Sequence, residues 1–276
     1  MLITSRDNET VRQARRLLND AKARRAANAF VIEGARLCED AVRSGAAIET
    51  ALVTARARER YPDRVEAVCA AAGRVLEITE PVAASLSDTE TAQGVFCLCK
   101  ALDNRRILDK IESDALYTFN AGRWLALENV RDPGNLGTVI RTAEALGIDG
   151  LILSDGCCDV TSPKVLRGSM GGVFRLPLFT TASMPEAVRR LQEAGLCAYA
   201  CVPVRDADTL SVVEAPLTKG SVCLIGNEAN GLTDETIAAC RHRLTIPMAG
   251  RAESLNAAIA ASLVMWEMAR RSQTNG

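Results

Sequence analysis

Between Trp124 and Ser154 the chain reads as an apolar run, WLAL, a Gly/Pro turn, a helical run stopped by Gly147, and a second apolar run, GLILS. Two short strands joined through a helix call for a crossover connection, which commits them to parallel pairing in a sheet covered by helices. At the centre of this unit lie residues 128–147, ENVRDPGNLGTVIRTAEALG. The turn is expected to deliver Asn135 to the mouth of the helix and Arg141 to its first or second turn. The alternation continues. Pro163 suits the first turn of a helix running towards Gly168, and FRLPLF follows as extended chain. Ser183 can cap a helix over 184–194, with LCAYACV, VCLIG and LTIP as further strands and a short helix started by Thr233, Asp234 and Glu235. Residues 123–276 are thus expected to form an α/β domain with a parallel sheet and its binding loops at the strand ends.

The amino-terminal part has the same grammar on a smaller scale. Asn8 can cap a helix carrying Val11, Ala14, Leu18 and Ala21 at intervals of three and four. FVIE, IETALVT, RVLEI and VFCLC read as strands, separated by helices ending at Gly45 and Gly73. A small three-layer α/β domain over residues 1–100 is expected, with 101–122 as a linker. At 276 residues two domains are also the natural prior from length.

Composition excludes several classes. Hydrophobic content of 48% with 24% charged residues is that of a globular protein. The start, MLITSRDNET, lacks the basic and apolar regions of a secretory signal. The most apolar late stretch, residues 255–269, falls short of the roughly 20 residues that span a bilayer. A cytoplasmic protein with no membrane association is expected. The ten cysteines lie in periodic segments without paired C-x-x-C spacing, and His242 is the single histidine, so buried thiols are expected and no metal. A net charge of -1 argues against nonspecific coating of nucleic acid. Residues 1–25 nevertheless hold seven basic side chains, Arg6, Arg12, Arg15, Arg16, Lys22, Arg24 and Arg25, against three acids.

The turn G-N-L-G-T-V-I-R lacks G-x-G-x-x-G, and no phosphate-binding G-x-x-x-x-G-K-[ST] occurs, so a dinucleotide fold is excluded. Two later stretches answer the first: LIGNEANGLTD at 224–234 and IPMAGRAESLNAAIA at 246–260. In this order, the three resemble the signature motifs of the SpoU (TrmH-type) RNA ribose 2'-O-methyltransferases of the SPOUT superfamily. The front part, with Ser5, Asn8, Glu33, Gly34 and Thr91-Ala92-Gln93-Gly94, is similar to the substrate-binding domain, related to ribosomal protein L30, that precedes many of their catalytic domains. A strand-to-helix turn is the alternative reading of Glu33 and Gly34.

The resemblance implies a trefoil-knotted catalytic domain that binds S-adenosylmethionine and methylates a ribose 2'-hydroxyl, with ribosomal RNA ahead of tRNA as the substrate. It places the cofactor against Gly226, Ile246, Met248, Ser254, Leu255 and Asn256, and assigns the chemistry to Asn135, Arg141, Glu228, Ser254 and Asn256. RNA contact falls to Arg6, Arg12, Arg15, Arg16, Arg24 and Arg25. The position matching Arg141 is discussed in the family as the base, yet a guanidinium stays protonated, so gripping a phosphate and stabilising the developing alkoxide is the cheaper role. The last helix, expected from Ser254 to about Arg270, is apolar nearly all round and implies burial, in the family at a homodimer interface. A non-catalytic RNA-binding or ribosome-assembly protein of the same fold is the competing reading.

Overall fold

The computed structural model describes residues 2–87, 92–203, 206 and 208–273. Thr91, one of the residues of the front motif, lies outside them. The chain divides into two compact units, Met1–Asp103 with Asp159–Phe174, and Asn104–Cys158 with Arg175–Gly276.

The first unit runs β1 (Leu2–Ile3), α1 (Glu9–Asn19), α2 (Ala21–Ala27), β2 (Ala29–Glu33), α3 (Ala35–Arg43), β3 (Ile48–Val53), α4 (Ala55–Arg60), α5 (Pro62–Ala71), β4 (Arg74–Ile78), α6 (Glu80–Ala84) and β5 (Val95–Lys100). Its sheet has the order β1-β4-β3-β5-β2, with β5 antiparallel to both neighbours and the other pairs parallel. Asn8 caps α1 by accepting the Thr10 N–H at 3.0 Å, and the helix buries Val11, Ala14, Leu17 and Leu18. Asp20 then ends α1 and caps α2, accepting from the Lys22 N–H at 2.7 Å, so the single expected helix is two. Residues Leu52, Leu76, Phe96 and Leu98 meet α1 in the core.

The second unit starts with β6 (Arg105–Ile107) and a short helix α7 (Ser113–Leu116), then β7 (Arg123–Leu127), α8 (Pro133–Ala145) and β8 (Gly150–Ser154). The excursion carrying α9 (Pro163–Ser169) and most of α10 (Gly172–Arg175) belongs to the first unit. The chain resumes with β9 (Leu178–Thr181), α11 (Met184–Glu193), β10 (Cys197–Cys201), β11 (Thr209–Ser211), β12 (Ser221–Ile225), α12 (Asp234–Ala239), β13 (His242–Thr245) and α13 (Ala257–Gln273). All eight strands are parallel, in the order β11-β13-β10-β12-β7-β8-β9-β6. The stretch read as a linker is therefore not a connector. β6 adds to the edge of the sheet beside β9, and Leu108, Leu116 and Phe119 enter the core. Phe119 stacks on Trp124 at 4.2 Å and accepts the indole N–H at 2.8 Å through its carbonyl.

From β7 the chain steps through β8 to β9 on one side, then crosses to β10 and returns β12 between β10 and β7. The crevice where strand order reverses, outside the carboxyl ends, is where such sheets bind ligands. The register pairs Leu127 with Ile225, so the loops after β7 and β12 leave the sheet side by side. Helices α8 and α13 pack together, as do α11 and α12. The last helix departs from expectation at its start. It starts at Ala257, because Asn256 and not Ser254 takes the cap, accepting from the Ala258 and Ile259 N–H groups at 2.9 and 3.3 Å. It is also buried on one face only: Ala258, Ala261, Val264, Met265 and Met268 are inside, while Ile259, Leu263 and Trp266 are 52%, 41% and 56% exposed. Among the described residues no helix is long and apolar enough to cross a membrane.

Candidate active site

Motif one begins where β7 ends. Glu128 is 4% exposed, and its carboxylate accepts from the Thr233 N–H at 2.8 Å and from the Thr233 and Thr236 hydroxyls at 3.1 and 2.6 Å. It thereby fastens the start of α12 to the end of β7. Asn129 follows with φ +57°, a left-handed conformation that asparagine tolerates better than most residues. Asp132 caps α8 by accepting the Asn135 N–H at 2.8 Å, with Pro133 in the first turn. Asn135 thus stands in that first turn as expected. Arg141 falls a turn later than expected, in the third, because the helix already begins at Pro133. It is exposed and makes no hydrogen bond or ion pair among the described residues.

Motifs two and three close on Asn135. Its amide N–H donates to Glu228 Oε1 at 2.8 Å, and its Oδ1 accepts from the Asn256 amide at 3.0 Å. The carboxylate can only accept, which fixes the orientation of the Asn135 amide and hence that of Asn256. One residue from each motif is therefore joined in a line. Asn227, an ordinary turn residue by sequence, extends it: its amide donates to the Asn129 carbonyl at 2.7 Å and to Glu228 Oε2 at 3.3 Å.

Gly226 is obligatory for the folding of its own loop. A Cβ there would lie 2.0 Å from the Gly231 carbonyl carbon, because Asn227 and Gly231 exchange backbone hydrogen bonds at 2.9 Å and fold the loop back on itself. Ile246 and Met248 follow β13, and they and Leu255 are half-buried; Ser254 is exposed and makes no hydrogen bond among the described residues. Two cavities of about 460 and 400 Å³ lie at the same edge, sharing Asn129 and Thr233. Neither is lined by Ile246, Met248 or Leu255.

Within the first unit, Arg6, Arg12, Arg16 and Arg25 are exposed. Arg15 is half-buried and donates to Ser85 Oγ at 3.1 Å. Arg24 does not suit the role given to it. It is 7% exposed, pairs with Asp159 at 2.8 Å and donates to the carbonyls of Leu17 and Leu18 at 2.7 and 3.1 Å. A guanidinium so engaged has no fork left for a phosphate. Burial alone would raise the Asp159 carboxyl, but the Thr161 hydroxyl and backbone N–H and the Arg24 guanidinium outweigh it and hold the group below the usual carboxylate range. Glu33 is 9% exposed, accepts from the Ser87 hydroxyl and lies 3.9 Å from Arg167. Gly34 has φ +105°, and Gln93 Oε1 accepts the Ala35 N–H at 3.0 Å to cap α3, so Glu33 and Gly34 make the strand-to-helix turn.

His242 stacks on Tyr199 at 5.4 Å within the sheet, away from the Asn135 line. Burial pushes the Cys99 and Cys223 thiols well above their ordinary value, which keeps them protonated. No group of three or more His, Cys, Asp or Glu side chains among the described residues could hold a metal ion.

Residues 122–266 match the SpoU rRNA Methylase family, and residues 8–97 match the MRM3-like substrate binding domain. An uncharacterized tRNA/rRNA methyltransferase of Synechocystis is 32% identical over 98% of this chain and 94% of its own. The 23S rRNA (guanosine(2553)-2'-O)-methyltransferase of Bacillus subtilis is 30% identical over 96% of this chain and 98% of its own. Among solved structures, the AdoMet-bound rRNA methyltransferase from Sinorhizobium meliloti superposes with a TM-score of 0.82 at 31% identity, covering 99% of this chain and 98% of that one. With both parts matched and the three motifs joined by hydrogen bonds, this chain belongs to the SpoU rRNA methylase family.

Proposed function

We propose that this chain methylates a ribose 2'-hydroxyl of ribosomal RNA with S-adenosylmethionine as donor. The observation that carries the reading is the hydrogen-bonded line from Glu228 through Asn135 to Asn256, one residue from each motif. A binding module of the same fold has no need for such a line. When bound against Gly226, Ile246, Met248, Leu255 and Asn256, the cofactor supplies an electrophilic methyl group on a sulfonium. The rest falls to side chains of the chain. Arg141, charged and unpaired among the described residues, holds the phosphate beside the target ribose and lowers the energy of the developing alkoxide. Asn135 and Glu228 orient the ribose, and Asn256, with Ser254 before it, holds the loop ahead of α13. A guanidinium is too weak an acid to serve cheaply as the base.

RNA is held by Arg6, Arg12, Arg16 and Arg25, all exposed, with Arg15 contributing through its remaining N–H groups. The apolar stripe of Ile259, Leu263 and Trp266 at helical spacing is the surface of a homodimer, since a lone chain would leave all three in water. The return of β12 between β7 and β10 supports a trefoil knot at the loops after β12 and β13. The protein works in the cytoplasm, where its RNA is assembled. Incubation with isotopically labelled S-adenosylmethionine and either ribosomal RNA or tRNA, followed by nucleoside mass spectrometry, tests the reading. Label in a 2'-O-methylated nucleoside from ribosomal RNA is expected, and label confined to tRNA or to a base overturns it.

A further inference from the structure

We propose that Asn227, with Asn129 behind it, is a positioning residue that aims the Glu228 carboxylate at Asn135. The proposal rests on the methyl-transfer reading and adds to it a residue outside the expected site. The Asn227 side chain has two N–H groups and an oxygen with two lone pairs, and all four are engaged. Its Oδ1 accepts from the Ala229 and Asn230 N–H groups at 2.9 and 3.3 Å, an Asx turn that aspartate could make equally well. Its two N–H groups go to the Asn129 carbonyl at 2.7 Å and to Glu228 Oε2 at 3.3 Å, and those need an amide. The turn alone does not explain asparagine here; the two acceptors do.

Both neighbours are prepared for this. Asn129 turns its carbonyl towards Asn227 because its backbone is left-handed, and its own N–H is anchored on Ser154 Oγ at 2.9 Å. Its side chain fills the space over Gly156, where a Cβ would lie 1.8 Å from Asn129 Oδ1. Glu228, by contrast, is exposed, and a free glutamate there would sample its rotamers in water. Only with one oxygen on Asn135 and the other on Asn227 is it held in one orientation. The support runs from the end of β8 through the ends of β7 and β12 to α8.

The test is Asn227→Asp, which keeps shape and turn acceptors but sets a second carboxylate beside Glu228 and opposite the Asn129 carbonyl. At pH 8 the single-turnover rate on RNA is expected to fall about ten- to hundredfold, the order of losing a hydrogen bond to a charged group. The dissociation constant for S-adenosylmethionine and the thermal midpoint should stay near those of the unsubstituted protein. As pH falls towards 5 the new carboxyl, set against a like charge, takes up a proton and regains a donor, and the variant-to-parent rate ratio should rise. Asn227→Ala, with no group to protonate, should lose rate with a flat ratio. In amide NMR spectra of the cofactor-free protein, the Asn135 side-chain signals should shift in Asn227→Asp at pH 8 and return at pH 5. A parental rate in Asn227→Asp, a ratio that is flat with pH, or an unmoved Asn135 amide overturns the positioning role. Absence of methylation by the unsubstituted protein counts against the methyl-transfer reading, and the Asn135 signals then decide the positioning role alone.

Discussion

Replacing Arg24 by methionine separates a structural arginine from an RNA contact. The substitution keeps the stem and removes the guanidinium, leaving the partly buried Asp159 with its Thr161 bonds at 2.7 and 2.9 Å but no cation. Breaking a buried pair on one side costs about 3–5 kcal/mol, and the two retained bonds place this case near the lower end, about 3 kcal/mol. With a urea slope of roughly 1–3 kcal/mol per molar, the midpoint of the first unit falls by roughly 1–3 M. The pH dependence has a defined sign. Asp159 is held below the usual carboxylate range in the folded chain, so its contribution is fully present above an unfolded value of about 3.9 and is lost as pH falls through the folded value. Without Arg24 that lowering shrinks while burial, which raises it, remains. The deficit of the variant is therefore full at pH 7 and narrows at pH 3. Far-UV circular dichroism follows both units, whereas Trp124 and Trp266 both lie in the second and report on it alone. The double variant Arg24→Met/Asp159→Asn should regain part of the loss. A deficit under about 1 kcal/mol, or one equal at pH 7 and pH 3, would refute the assignment.

Arg141→Lys should lower the single-turnover rate by about 10²-fold or more while leaving S-adenosylmethionine affinity intact, because an ammonium cannot reproduce the planar fork; a nearly full rate removes that role. Leu263→Glu with Trp266→Glu should yield monomers by light scattering at micromolar concentration, and an unchanged dimer would move the interface elsewhere. Arg12→Glu with Arg16→Glu should weaken RNA binding and flatten its salt dependence without moving the thermal midpoint, since both side chains are exposed. A lower midpoint with unchanged RNA affinity would make them structural.

The parallel sheet was legible because WLAL, the Pro133 turn and GLILS carry their signals locally, within one strand–helix–strand unit. Asn135, Glu228 and Asn256 were legible through the motifs, although no spacing in the sequence says that their side chains bond one another. Arg24 was misread because its partner is 135 residues away, and helical periodicity knows only its own turn. Ser254 and Asn256 are both cap-forming residue types, and only the direction in which the chain enters α13 decides between them. The apolar positions Leu108, Leu116 and Phe119 were visible in the supposed linker, but their mixed-charge surroundings masked a core contribution. Asn227 had no signal at all, being an ordinary turn residue until its two acceptors are seen.

The excursion of residues 159–174 into the first unit has a consequence for how the protein is made and dissected. The backbone passes between the units three times, so cleaving one peptide bond cannot release either as a fragment. A chain truncated after Asp103 lacks Asp159 and the whole of α9, and leaves the Arg24 guanidinium without its counter-ion. During synthesis, the amino-terminal unit is complete only once Phe174 has emerged, by which time β7, α8 and β8 are already outside the ribosome. The two units therefore mature together, and grafting the first onto another catalytic domain requires carrying the inserted segment with it.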